Sequence, residues 1–398
     1  MPASNLVTDN GSAATGIYLY RARAHGTPYL GGSSGKTQPK VGCANHPSAD
    51  ALRGIRTPLS KGSLTRMPYV ASQATLGRRG FTGLLSAAVV AGLSGCGAGG
   101  DIRPSIAATR NVQHPLGNTN IPVSPQRVVS LDASGGLQVS LEVGAPLVAS
   151  ETLDGAVSVP GYLPRPAADF QSLGFNQPNL EKLVKLKPDL IIGNLQRIKE
   201  LYPQLSAIAP TVPYENAGKG KPWQESVRLI ADLLGESGRQ DAALGSFSER
   251  SLQVKTEHKA FLAKHSVALL RFTNDELRIL RGPIFGATIL DEIGVRRNRS
   301  TTTSGGTETY YPIGREHVGV LADADVILYF LGGGAFNAGP DQTFKSYTSN
   351  AIWTQLPAVK AGRVARLDPT AWWDGYSVSA ANTCLQQFTT VLRAMPQK

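Results

Sequence analysis

The sequence is poor in the patterns that catalysis requires. No Gly-x-Ser-x-Gly elbow stands between a strand and a helix, and His-Glu-x-x-His, Cys-x-x-Cys and a complete phosphate loop are missing; their absence argues against an enzyme. Gly332-Gly333-Gly334 follows a strand but lacks the Lys and Ser/Thr of a phosphate loop, so it reads as a loop passing close to a ligand. The six histidines form no His-rich loop and no cluster with carboxylates, which excludes a site for bare zinc or manganese. Cysteine is scarce, three in 398 residues. An even spread of positive charge is also lacking. The formal net charge is +11, but residues 1–95 hold ten of the 40 Lys and Arg against Asp9 and Asp50, leaving 30 basic and 27 acidic residues from Cys96 onward. The basic character belongs to the leader, and no nucleic-acid partner is expected for the folded part.

What is present begins with residues 76–96, LGRRGFTGLLSAAVVAGLSGC. Arg78 and Arg79 precede an uncharged run from Phe81 to Gly95 that is too short to span a membrane. A charged start, a short apolar stretch and small residues at its end are the marks of an export signal. Arg-Arg-x-Phe resembles a twin-arginine signal, and Leu93-Ser94-Gly95-Cys96 resembles a bacterial lipobox, in which the cysteine is acylated and becomes the mature N-terminus. The expected organisation is therefore an unfolded leader over 1–66, a signal over 67–95 with Met67 as a candidate start, and a linker over 96–110. With Cys96 lipidated, Cys384 is left as a packed thiol and no disulfide framework can form.

The remaining length exceeds one compact core. Its pattern predicts α/β architecture: a first lobe over 111–235, a connecting helix within 236–264 and a second lobe over 265–398. Arg239–Lys264 has no proline, and Leu244, Phe247, Val254 and Phe261 recur at helical steps, predicting one helix of roughly 35–40 Å between the lobes. Short apolar runs (Arg127–Leu131, Pro146–Ala149, Leu190–Gly193, Ser266–Leu270, Val326–Phe330) alternate with helical segments, as in parallel sheets covered on both faces. Glu181 followed by Lys187-Pro188-Asp189 and a strand is echoed by Glu316 followed by Asp323-Ala324-Asp325 and a strand, a weak internal repeat.

Ligands of open parallel sheets sit beyond the carboxyl ends of the strands. In the first lobe that rule selects Asp132-Ala133-Ser134 and Asn194-Leu195-Gln196, with Ser134 and Gln196 as candidates and Tyr162 added to them. In the second it selects Arg271, Phe272, Trp372 and Trp373, with Arg281, Tyr310 and Tyr311 nearby. Guanidinium groups among aromatic faces suit an anionic, partly planar ligand such as a metal chelate. Arg278 is open to two readings, structural or at the cleft edge.

Several blocks carry a family resemblance: Arg127-Val128-Val129, Pro178-Asn179-Leu180-Glu181 leading to Leu186-Lys187-Pro188-Asp189-Leu190-Ile191-Ile192, Leu201–Val212, Phe285–Leu290 with Gly294, and Ala324-Asp325-Val326-Ile327. The chain resembles, over about residues 110–395, the lipoprotein receptors for ferric siderophores, haem and cobalamin that feed ABC importers, most of all the actinobacterial iron-transport type. That resemblance implies two Rossmann-like lobes bridged by a rigid helix, and a monomer that needs no cofactor. It implies a ferric siderophore or haem bound by arginines and aromatics in the cleft, with a cobalamin-type ligand as the alternative. It also implies an ABC permease partner docked on one acid per lobe: Glu316 on the second, and Glu181 or Glu200 on the first. A sensory or structural lipoprotein that binds a protein partner with the same clamp is the competing role.

Overall fold

The computed structural model describes residues 108–396 other than 154–158, 176, 217–221, 283, 302–307 and 334–338. The leader, the signal and Cys96 lie outside the described residues. An antiparallel hairpin comes first, β1 (Thr109–His114) with β2 (Gly117–Pro122), so the stretch expected to be linker up to residue 110 already carries strand at Thr109.

The first lobe holds β3 (Val128–Leu131), β4 (Leu147–Ser150), β5 (Gln171–Ser172), β6 (Leu190–Asn194) and β7 (Thr211–Tyr214), in the order β5-β4-β3-β6-β7 and parallel throughout. The second holds β8 (Ser266–Phe272), β9 (Leu277–Leu280), β10 (Arg296–Arg297), β11 (Tyr310–Ile313), β12 (Val326–Leu331) and β13 (Val364–Arg366). Its order is β11-β9-β8-β12-β13, with β10 beside β8; β9 pairs antiparallel with both β8 and β11, and the other pairings are parallel. All residues of β3, β8 and β12 are buried, as continuous apolar strands between two helical layers must be.

The internal repeat has a physical basis. Helix Leu180–Leu186 ends at Lys187 in the left-handed conformation (φ 46°), and Asp189 then precedes β6. Its carboxylate accepts from the amides of Gln126 and Arg127 at 2.6 and 2.9 Å, at the entrance to β3. In the second lobe the 3-10 helix Arg315–Asp323 precedes β12, and Asp325 accepts from the Ser266 amide at 2.7 Å, at the entrance to β8. Each aspartate fixes the register between the two central strands of its sheet.

Leu195–Ile198 and Tyr202–Ile208 form separate helices, because Pro203 occupies the first turn of the second, where its missing N–H costs nothing. One helical expectation needs correction. The connecting helix runs over Ser237–Glu257, about 31 Å at 1.5 Å per residue. It is interrupted at His258 (φ −104°, ψ 14°) before a short helix Lys259–Lys264. Leu244, Phe247 and Val254 are buried as the stripe requires, but past the interruption Leu262 takes the core position, and Phe261 lies half-buried with its ring 4.5 Å from His265.

One hydrophobic core joins the lobes. It takes Val128 and Leu190 from the first sheet, Val267 and Leu328 from the second, and Leu137, Trp223, Phe247, Phe285 and Phe388 from the helices between them. Trp223 stands edge-on to Phe247 at 5.5 Å and to Phe285 at 5.2 Å. The outer face of each sheet has its own core. Polar ties cross the same boundary. Glu142, at the end of helix Gly135–Glu142, accepts from the amides of Val378 and Ser379 and so caps helix Val378–Ala394 where the helix dipole favours an anion. Cys384 is buried in that helix, as expected, and burial pushes its thiol well above the ordinary range.

Candidate functional site

The second-lobe wall is built at the carboxyl end of β8. Successive side chains of a strand point to opposite faces, so Arg271 and Phe272 part company. Arg271 faces the shared core side, directly opposite Arg278 on β9. Its Nε donates to the Gly332 carbonyl at 2.8 Å and its Nη2 to the Gly333 carbonyl at 2.6 Å, while the guanidinium lies 3.4 Å over the ring of Trp373. Gly333 (φ +91°) is needed here, because any side chain would meet Trp373 at 3.0 Å. Arg271 is fully buried, and burial followed by the repulsion of Arg278 lowers its pKa to about 10, so it stays charged at neutral pH.

One more guanidinium group continues the wall, and another stands on the opposite face of the sheet. Arg278 lies 4.2 Å over Tyr310 and donates to Glu276 Oε1 at 2.5 Å. Arg281 lies 5.0 Å over Tyr311 and donates to Glu308 Oε2 at 2.7 Å. Tyr310 and Tyr311 come from β11, which pairs with β9. Arg271 and Arg278, each on an aromatic ring, thus line one end of the second sheet on its core-facing side, whereas Arg281 and Tyr311 share the outer face with Ile279.

In the first lobe Asp132, at the end of β3, is committed to structure. Oδ1 accepts from the Ser134 amide at 2.9 Å, and Oδ2 from the Tyr214 hydroxyl at 2.7 Å, the Asn216 amide at 3.2 Å and the Gly136 N–H at 3.3 Å. A side chain at Gly136 would collide with Ser130 Oγ and the Tyr214 hydroxyl, so only glycine fits. Glu151, after β4, is buried beside Arg197, which follows β6 and lies 5.5 Å over Phe175. Burial raises the Glu151 pKa to about 7; Arg197 opposes the rise and Asp132 adds to it. The two walls meet at residues 373–376. Gln138 donates to the Asp374 carbonyl at 2.6 Å and accepts from the Tyr376 amide at 3.0 Å, which ties the helix after Ser134 to the segment carrying Trp373.

The structure brings Arg271, Tyr310 and Trp373 to the core-facing side of the second sheet and adds Arg278, for which the cleft-edge reading fits. Arg281 and Tyr311 pair with each other on the opposite face, where Tyr311 stands across from Ile279 of the outer core, because neighbouring residues of a strand point to opposite sides. It removes three more candidates. Phe272 is fully buried on the opposite face, among Tyr329, Phe344, Tyr347 and Trp353. Trp372 is fully buried against Gly286, with its indole N–H donated to Gln387 at 3.0 Å. The Tyr162 hydroxyl lies 3.3 Å from both Gln138 Oε1 and the Thr370 carbonyl, so it helps tie the lobes together. Ser134 is half-buried at the first wall, and Gln196 is exposed, its amide capped by Asn194 at 3.0 Å. Glu151, Arg197 and Phe175 escaped the sequence reading. The strand-end rule would have found Glu151 had β4 been placed one residue later.

The expected docking acids are all exposed: Glu181 in the first turn of its helix, Glu316 in the first turn of the 3-10 helix, and Glu200 in the turn before Tyr202–Ile208.

Two α/β lobes on a common core, with charged and aromatic side chains at facing strand ends, define a ligand-binding clamp. The periplasmic binding protein family model matches residues 138–371, more than half the chain. Bacillus subtilis (strain 168) YfiY, a probable siderophore-binding lipoprotein, is 29% identical over 78% of this chain and 96% of its own length. Among solved structures, the siderophore periplasmic binding protein from the fuscachelin gene cluster of Thermobifida fusca is 26% identical, covers 69% of this chain and 99% of its own, and has a TM-score of 0.56. Staphylococcus aureus SirA complexed with staphyloferrin B shares the fold, with a TM-score of 0.61 at 23% identity over 73% of this chain and 100% of its own. The chain belongs to the periplasmic binding protein family, extracytoplasmic substrate-binding proteins of ABC importers rather than enzymes.

The buried Glu151 gives stability a pH dependence. Its carboxyl keeps a proton to about pH 7 in the fold, against 4.5 as the ordinary value. Its contribution is therefore most favourable below about pH 4.5 and is lost as the pH rises through 7. Glu151→Gln is expected to exceed the wild type at pH 8 by about 1–3 kcal/mol in urea unfolding, with the gap closing on acidification to about pH 5; a gap independent of pH would contradict this environment for Glu151.

Proposed function

We propose that this protein captures an iron(III) siderophore between its lobes and delivers it to an ABC import permease. The observation that carries the reading is the second-lobe wall: Arg271 on Trp373 and Arg278 on Tyr310. Aromatic faces hold the apolar part of such a chelate, and guanidinium groups neutralise its anionic oxygens. Arg271 acts from behind, fixing Trp373 and the glycine turn. Arg278 is the contact, and its carboxylate partner Glu276 is displaced by the ligand. No bond in the ligand is made or broken.

Delivery uses one exposed acid per lobe. Glu181 and Glu316 stand at the start of the helices that lead into β6 and β12, the equivalent strands of the two sheets, whereas Glu200 lies in a turn with Lys199 at 3.4 Å. Glu181 is therefore the first-lobe partner of Glu316. Acylation of Cys96 anchors the receptor to the outer face of the cytoplasmic membrane, where it works as a monomer.

Three of the four tryptophans are buried, and Trp373 is the half-exposed one. Titration with ferric citrate, ferrioxamine B and ferric enterobactin is expected to quench fluorescence with at least one of them, and Trp373→Phe to remove most of the response. Arg278→Gln should weaken binding roughly tenfold or more; no response to any ferric chelate would favour a protein-binding role instead. In cells, Glu181→Ala with Glu316→Ala should stop iron uptake while chelate binding persists, and Cys96→Ala should move the protein into the soluble fraction. Undiminished uptake would refute the docking acids, and continued membrane association would refute the anchor.

A further inference from the structure

Helix Gly135–Glu142 of the first lobe gives one of its faces to the second. Gly135, Gln138 and Glu142 recur at steps of three and four, so they share a side of the helix. All three meet the segment that follows Trp373. Gly135 lies against the Tyr376 ring, which an added Cβ would approach to 3.3 Å. Gln138 donates to the Asp374 carbonyl at 2.6 Å and accepts from the Tyr376 N–H at 3.0 Å. Glu142 accepts from the N–H groups of Val378 and Ser379.

Gln138 is fully buried. The segment offers it a carbonyl at Asp374 and an N–H at Tyr376, and a carboxamide answers both because its donor and acceptor are separate atoms. Residues 374–376 lie between helix Pro369–Trp372 and helix Val378–Ala394. They belong to neither, so their place is set by what they touch. Trp373 itself is held from the second lobe. Its N–H donates to the Pro369 carbonyl at 2.8 Å, its ring lies 3.4 Å from the Arg271 guanidinium, and Gly333 passes beside it. The chain leaving Trp373 is held from the first lobe, by Gln138.

We propose that Gln138 is a positioning residue for ligand capture: it never meets the ligand, but by fixing the backbone beyond Trp373 it keeps the indole on Arg271, so that the first lobe tunes the affinity of the second-lobe wall. The inference rests on the reading of the protein as a receptor for an iron(III) chelate that packs on Trp373. With the carboxamide in place the indole is ordered before binding; without it, the ligand must order the ring, and affinity falls.

The test compares two variants of the full chain. Gln138→Met keeps a similar volume but removes the donor and the acceptor. Gln387→Met is the matched control, because Gln387 accepts from the Trp372 indole N–H at 3.0 Å and the Asp368 N–H at 3.1 Å, on the same short helix but away from Trp373. Urea unfolding reports the stability that each loses. Acrylamide quenching without ligand reports Trp373, since the other three tryptophans are buried. Gln138→Met is expected to raise the quenching, to shift the emission to longer wavelength, and to weaken binding of ferric citrate, ferrioxamine B or ferric enterobactin roughly tenfold. Gln387→Met should leave quenching and affinity at the wild-type values. Should Gln138→Met fail to fold, Gln138→Asn, with the same two atoms on a shorter stem, is expected to show smaller changes in the same directions. Wild-type quenching and affinity in the folded Gln138 variant, or equal losses in Gln387→Met, would overturn the positioning role and leave the receptor reading standing. Failure of the wild type to bind any of the three chelates would overturn the receptor reading and the role of Gln138 with it.

Discussion

Trp223 comes from the first lobe and Phe285 from the second, and their rings meet edge to face at 5.2 Å inside a core that neither lobe owns alone. Everything that concerns binding depends on this contact and on the helices around it. Truncating a buried aromatic of this kind costs about 3–5 kcal/mol, a large share of the stability of an ordinary domain. The lobes are therefore joined through packed side chains as well as through the chain. Gln138 and Glu142 add hydrogen bonds across the same boundary, from helix Gly135–Glu142 to residues 374–379. The ends of the two sheets are held facing before any ligand arrives. Such pre-organisation lowers the ordering cost of binding.

Electrostatics follow from that frame. A buried arginine is expensive unless its protons find acceptors, and Arg271 finds two carbonyls and an indole face. The arrangement keeps a positive charge behind Trp373 and shapes the glycine turn. Arg278 carries the same cation-on-ring pattern toward the rim, with a carboxylate partner that an anionic ligand can replace. In the first lobe the balance is reversed: Asp132 is fully bonded and Glu151 is not. The site thus has one wall of strongly placed cations and one wall whose charge depends on a proton.

Much of this was legible in the sequence because it rests on local rules. Continuous apolar strands, the Lys-Pro-Asp and Asp-Ala-Asp approaches to β6 and β12, and the Leu244-Phe247-Val254 stripe all express short-range patterning that the structure repeats. The strand-end rule found Arg271 and Trp373, and Tyr310 was read beside them; Arg281 and Tyr311 were read there too, but a strand's alternation sends them to the other face of the sheet. It also admitted Phe272, where the period-2 alternation of β8 should have kept only one of two neighbours. It admitted Trp372 because the short helix Pro369–Trp372, which turns that indole inward, leaves no periodic trace. Tyr162 lies in a loop where no pattern reveals which groups its hydroxyl will meet. Glu151 was lost through a one-residue error at the end of β4. The break at His258 has no proline or glycine to announce it; tertiary packing of Leu262 decides it.

The central claim is that the shared core sets the two walls before binding, so that ligand capture needs little movement of the lobes. Small-angle X-ray scattering of the protein, without ligand and saturated with the ferric chelate that quenches Trp373, tests this most directly. The account predicts radii of gyration that agree within about 1 Å. A contraction of more than about 2 Å on binding would show that the lobes close on a hinge and that the common core does not hold the site in place.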